Sequence, residues 1–151
     1  MLKRTIKYVD YDDVEQEDIF YFNLSKPELV KLEAGEDRVR FSSRMARIVE
    51  TKDVAVIIEE IKQLILLAYG EKSEDGKRFI KSEESRRAFE QSAAFEALFM
   101  ELAMDAQASV DFLQGAMPKD MVKEYQKAVA EGVAPDFAKP GLGEGQPTGG
   151  I

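Results

Sequence analysis

The sequence predicts an α+β fold, mainly α: an N-terminal β-hairpin packed on a bundle of about five or six helices, with a flexible C-terminal tail. Three observations carry that expectation. Residues 4–9 and 18–24 alternate apolar and polar side chains with the period of a strand. From Ser25 to Gly132 apolar residues recur at helical spacing, punctuated by capping residues, glycines and turns. Beyond that, three prolines and five glycines fall among the last seventeen residues, which leaves too little apolar matter for a core. The chain therefore divides into one folded unit over 1–132 and a Gly/Pro-rich tail over 133–151.

In the hairpin, Ile6 and Tyr8 share one side, Phe20, Phe22 and Leu24 another, and the acidic run Asp10–Glu17 is expected to be a long connecting loop. An isolated hairpin is marginal in water, so its aromatic face should lie on the helices. Ser25 and Glu28 form a capping box, and the helix they open should reach Ala34 and stop at Gly35. Residues 37–50 make an amphipathic helix, with Phe41, Met45, Ile48 and Val49 on one side and Arg40, Arg44 and Arg47 on another.

The strongest helix runs from Asp53 to Tyr69. Val54, Ile57, Ile58, Ile61, Leu64, Ile65 and Ala68 form its stripe, and Gly70 is the expected left-handed stop. Ser73–Gly76 reads as a turn, and Lys77–Lys81 as a short extended piece presenting Phe79 and Ile80. Ser82 caps a helix over 83–91, and further helices cover 93–104, the segment around Val110, Phe112 and Leu113, and a last run from Pro118 to Gly132.

Composition narrows the function. There is no histidine and no cysteine, which removes the commonest general base, the commonest zinc ligands and any disulfide. The net charge of −8 favours solubility and repels nucleic acid and anionic membranes at long range. No apolar run reaches membrane-spanning length, and the first residues lack the apolar stretch of a secretory signal, so the expected location is the cytoplasm. The acidic loop fails as a calcium site because Glu15 stands where a calcium loop needs glycine. The run Gly141–Gly145 lacks the strand, helix and lysine of a phosphate loop. No catalytic, cofactor-binding or metal-binding residue is expected, and no enzymatic activity.

What remains is apolar surface. Helix 93–104 carries Phe95, Leu98, Phe99 and Leu102 on an inner stripe, and Met100 and Met104 widen it sideways. Either this is a wholly buried helix or part of it receives an apolar segment of a partner, for which flexible methionines are suited. Phe79, Ile80, Phe95, Phe99, Met100 and Met104 are the candidate partner-binding residues. Arg40, Arg44 and Arg47 read first as a solvated face, and second as a dock for an acidic partner or, with the smaller share, nucleic acid.

The run Leu67–Ser82, with Ala68-Tyr69-Gly70-Glu71-Lys72-Ser73 at its head, resembles the central signature of the tail assembly chaperones of long-tailed bacteriophages. The resemblance continues through Phe89–Phe95, Leu98–Asp105 and Ala108–Pro118, and includes the opening Tyr21–Glu28. It spans residues 1–120, with little likeness over 36–52 and none after 132. It implies a protein that coats the tape-measure protein, keeps its apolar helices soluble, helps recruit major tail-tube protein subunits and leaves before the virion is complete. It also implies a frameshift-extended form of the same chain as a partner, with this chain as the short form, acting in the host cytoplasm without nucleic acid, membrane or cofactor. Two other functions fit the residues: a structural tail or connector protein that stays in the virion, and an acidic helical regulatory module that binds through the arginine stripe.

Overall fold

The computed structural model describes residues 1–34, 50 and 52–131. An antiparallel hairpin, β1 (Leu2–Val9) and β2 (Glu15–Phe22), leads into helix α1 (Lys26–Ala34). Helix α2 (Val54–Ala68) passes directly into β3 (Tyr69–Lys72), which turns back as β4 (Phe79–Ile80). Helices α3 (Glu83–Glu90), α4 (Ala93–Ala103), α5 (Ala106–Ala116) and α6 (Lys119–Glu131) follow. The fold is α+β and mainly α, with the hairpin resting on the helices as expected. The expected helix over 37–50 with Arg40, Arg44 and Arg47, and the tail over 133–151, lie outside the described residues.

The strands form one antiparallel sheet in the order β1-β2-β3-β4. Residues directly opposite in such a sheet point to the same face. Leu2 faces Phe22, Arg4 faces Phe20 and Ile6 faces Asp18, so these side chains share the inner face, which lies on α4 and α5. Lys3, Thr5, Lys7 and Val9 point outward and are exposed.

Two expectations need correction here. The Asp10–Glu17 loop is a tight turn, and β2 begins at Glu15. Asp10 accepts hydrogen bonds from the Asp12 and Val14 N–H groups and from the Gln16 side chain, which hold the turn and let Asp13 take φ +62°. The far half of the hairpin overhangs the helices, so Glu15, Gln16, Glu17 and Asp18 are all solvated and the sequence there loses its strand-like alternation.

The second correction concerns Gly70, which is a strand residue and not a left-handed helix stop. Helix α2 needs no such stop because its final carbonyls have other donors. The Ile65 carbonyl accepts from Tyr69 N–H, Leu66 from Arg86 Nε at 3.0 Å, Leu67 from Lys81 Nζ at 2.8 Å, and Ala68 from Asn23 N–H at 2.8 Å. Cations at a helix C-terminus also match its dipole. Gly70 instead permits close approach: a Cβ there would lie 2.5 Å from Phe79 Cε2. Gly70→Ala should displace the Phe79 ring and cost about 1–3 kcal/mol. Chemical denaturation checks this, and an unchanged midpoint would mean the β3–β4 hairpin is plastic there. Gly76, at φ +72°, does supply the left-handed corner of the Ser73–Gly76 turn.

Local start signals hold in the described helices. The capping box forms in both directions, with Ser25 N–H donating to Glu28 Oε1 at 3.0 Å and Glu28 N–H donating to Ser25 Oγ at 3.3 Å. Asp53, Ser82, Ser92 and Asp105 accept from first-turn amides of α2, α3, α4 and α5.

The core is aromatic at its centre. Phe22 is fully buried, with ring centroids 4.8 Å from Phe112, 5.8 Å from Phe89 and 6.0 Å from Tyr69. Tyr69 stacks on Phe89 at 4.1 Å. Leu24, Leu29, Leu64, Ile65, Leu98 and Leu102 close around them. Helix α4 is central: it packs on β1, α2, α3 and α5. Ser109, buried on α5, donates to the Leu102 carbonyl at 2.7 Å and ties α5 to the end of α4.

Candidate partner-binding surface

Helix α4 presents two unlike sides. Ala94, Phe95, Leu98 and Leu102 are buried, and their angular positions on the helix cluster about one direction. Met100 and Met104, one turn apart on the opposite side, are 50% and 80% exposed. Ala93 and Ala97 lie with them and are partly exposed, and Glu96 borders them. The exposed residues of this helix and its C-cap are Glu96, Met100, Glu101 and Met104, so two thioethers face solvent between two carboxylates. Glu101 sits on the flank, where it is paired with Arg4 of β1.

Phe99 joins this surface to the interior. It is half-buried, and its ring stacks on Phe95 with centroids 5.9 Å apart. Phe95 meets Phe89 edge-on at 5.6 Å, and Phe89 meets Phe22. A continuous run of rings thus leads from the centre of the fold to the edge of the methionine face.

The six candidate residues are therefore not equivalent. Phe95 is a buried core residue, because it fills the space between Phe89 and Phe99. Phe99 is shared between core and surface, while Met100 and Met104 are surface residues. Phe79 and Ile80 sit apart on β4, which is carried by β3. Phe79 lies against Gly70 on the outer sheet face, with Lys81 Nζ 5.8 Å from its ring centroid. Ile80 is 38% exposed on the other face, opposite Glu71.

Other exposed apolar residues escaped the sequence reading. Val54 and Ile58 belong to the periodic stripe of α2, yet both are exposed; full burial along the helix begins only at Ile61. Periodicity identifies a face but not how far along the helix its neighbours reach. Val9 and Ile19 lie on the outer sheet face and are about half exposed. Among the described residues no cluster of three or more acidic groups is arranged to hold a metal ion, and no helix is long and apolar enough to cross a membrane.

One charged pair is deeply placed. Lys81 Nζ donates to both Glu28 carboxylate oxygens, at 2.9 and 2.7 Å, and to the Asn23 and Leu67 carbonyls at 2.7 and 2.8 Å. Burial pushes the Glu28 carboxyl up, but the hydrogen bonds from Lys81 and Ser25 outweigh it and leave the group below the usual glutamate range. Burial also dominates at Lys81, and pulls it below the usual lysine range against the attraction of Glu28. All of the ammonium's contacts are used internally, so this site ties α1 and the end of α2 to the residues that follow β2 and β4, and offers nothing to a ligand.

The domain is mainly helical, and Met100 and Met104 stand exposed on one side of α4. A family model described as phage tail assembly chaperone matches residues 1–146. The chain belongs to the phage tail assembly chaperones. The match runs past the 1–120 stretch on which the sequence resemblance rests and takes in most of the segment after 132. No curated protein and no solved structure matches the chain.

Proposed function

We propose that this protein is a non-enzymatic holdase for the tape-measure protein, acting in the host cytoplasm while the tail is built. It covers apolar helical segments of that client, helps bring major tail-tube subunits to it, and departs before the particle is complete. A frameshift-extended form of the chain would link client and tube subunits. The observation that carries this reading is the exposed Met100–Met104 face of α4, set on a well-packed core in a chain of this family. Methionine adapts to varied apolar shapes. A net charge of −8 keeps many copies soluble on one long client, and repeated sites along that client turn modest affinity into avidity.

The test is co-expression of the tape-measure protein with the wild-type chain or with Met100→Ser/Met104→Ser. Both substitutions are at exposed positions, so the variant should melt within a few degrees of wild type, as surface changes cost roughly ±0.5 kcal/mol. The soluble client should fall severalfold with the variant. Equal solubility with either chain would remove α4 as the docking face. A client soluble without any chaperone, or abundant copies of this chain in purified virions, would overturn the holdase reading itself.

A further inference from the structure

Among the described residues the sheet ends in an open edge at β1. Among the described residues no strand pairs with β1 on the side away from β2. The closing bond of the hairpin runs from Asp10 N–H to the Val14 carbonyl, so Asp10 and Val14 form a hydrogen-bonded pair. Such pairs alternate along an antiparallel ladder. With the register Val9 opposite Glu15, the main-chain groups of Leu2, Arg4, Ile6 and Tyr8 bond to β2, and those of Lys3, Thr5, Lys7 and Val9 point to the open side. The side chains of these last four residues are exposed as well.

This edge is also basic. β1 carries Lys3, Arg4 and Lys7 and no acidic residue, in a chain of net charge −8. Arg4 is paired with Glu101, and Lys7 reaches Glu17 only at 3.6 Å in solvent. Among the described residues no carboxylate pairs with Lys3. Exposed edge lysines discourage strand pairing with like chains. Antiparallel pairing of β1 with β1 of a second copy about Thr5 would set Lys3 against Lys7 twice, and like charges directly opposite are destabilising. The chain's own last residues are poor strand formers, since Pro135, Pro140 and Pro147 lack a main-chain donor.

We propose that β1 is a second docking site, distinct from α4, and that it takes an extended acidic segment of a partner polypeptide as a fifth strand. The partner's main chain bonds to Lys3, Thr5, Lys7 and Val9. Its outward side chains are carboxylates beside Lys3 and Lys7, and its inward ones are apolar and lie beside Leu2 and Ile6. Main-chain bonds supply affinity and the two lysines select the sequence.

The probe is a blocked peptide of alternating glutamate and valine, about as long as β1, with a lysine-for-glutamate peptide as control. Binding to the full chain is followed by calorimetry, and hydrogen exchange by NMR. The acidic peptide should bind, slow exchange of the Lys3, Thr5 and Lys7 amides, and weaken as salt is added. Thr5→Pro removes an edge donor that the β1–β2 ladder does not use, and should weaken binding roughly tenfold. Lys3→Glu/Lys7→Glu should reverse the preference toward the lysine peptide, and it leaves the main chain intact if the proline variant fails to fold. Equal binding of both peptides, no change with charge reversal, or protection confined to residues of α4 would overturn the proposal. So would concentration-dependent self-pairing through β1.

Discussion

Phe22→Ala is expected to lower stability by about 3–5 kcal/mol, the largest effect of any single side-chain truncation considered. Phe22 has no exposed surface and contacts three rings from three other elements: Tyr69 of β3, Phe89 of α3 and Phe112 of α5. Truncation loses the transfer free energy of the ring and leaves a void that none of those neighbours can fill without abandoning its own partner. Urea unfolding followed by far-ultraviolet circular dichroism measures it. The midpoint should fall with little change in slope, because the same surface is exposed on unfolding. Phe22→Leu, which keeps most of the volume, should lose much less. A loss under about 1 kcal/mol for the alanine variant would mean that the sheet is not anchored through this ring.

Lys81→Met should cost about 2–4 kcal/mol. The methyl-terminated chain keeps the packing but leaves the Glu28 carboxylate with no cation and only the Ser25 N–H, and takes from the Asn23 and Leu67 carbonyls the Nζ donor they now share. The figure sits at the lower end for a broken internal ion pair because 17% of the lysine side chain and 29% of the glutamate side chain remain in contact with solvent. The pairing also sets a pH dependence. Glu28 has a lowered carboxyl pKa in the folded state, so its contribution is complete above the usual glutamate range and is lost as pH falls through the lowered folded value. Glu28→Gln should flatten that acid-side slope. Combining Lys81→Met with Glu28→Leu should recover part of the loss, since no charge is then left without a partner. Thermal unfolding across the acid range separates these outcomes, and equal slopes for wild type and Glu28→Gln would count against the pair.

Elements whose cause is local were legible in the sequence. The Ser25–Glu28 box, the Ser82 cap and the periodic stripes of α2 and α4 need only a few neighbouring residues to declare themselves. What depends on distant partners was not. Strand β3 exists because Tyr69 and Gly70 pair with Phe22 and Tyr21, far away in sequence. The stop of α2 is supplied by Asn23, Lys81 and Arg86, none of which lies beside it in sequence, whereas the adjacent Gly70 is the local signal and plays another part. The same limit governs the surface. Periodicity placed Phe95, Phe99, Met100 and Met104 on one helix, and only packing distinguishes the ring that fills the core from the thioethers that reach solvent. The open edge of β1 had a sequence trace, three cations without an acid, but its meaning depends on which strand lies beside it.

The stacked rings of Tyr69 and Phe89 have an optical consequence. The chain has no tryptophan and five tyrosines, so the long-wavelength part of its near-ultraviolet dichroism comes from tyrosine, with phenylalanine contributing only at shorter wavelength. Tyr69, fixed against Phe89, and Tyr125, buried on the inner side of α6, are chromophores held by packing. Under the proposed function that band is a gauge of integrity: a client resting on the outer thioethers would leave it untouched, whereas one that pries apart the interior would erase it.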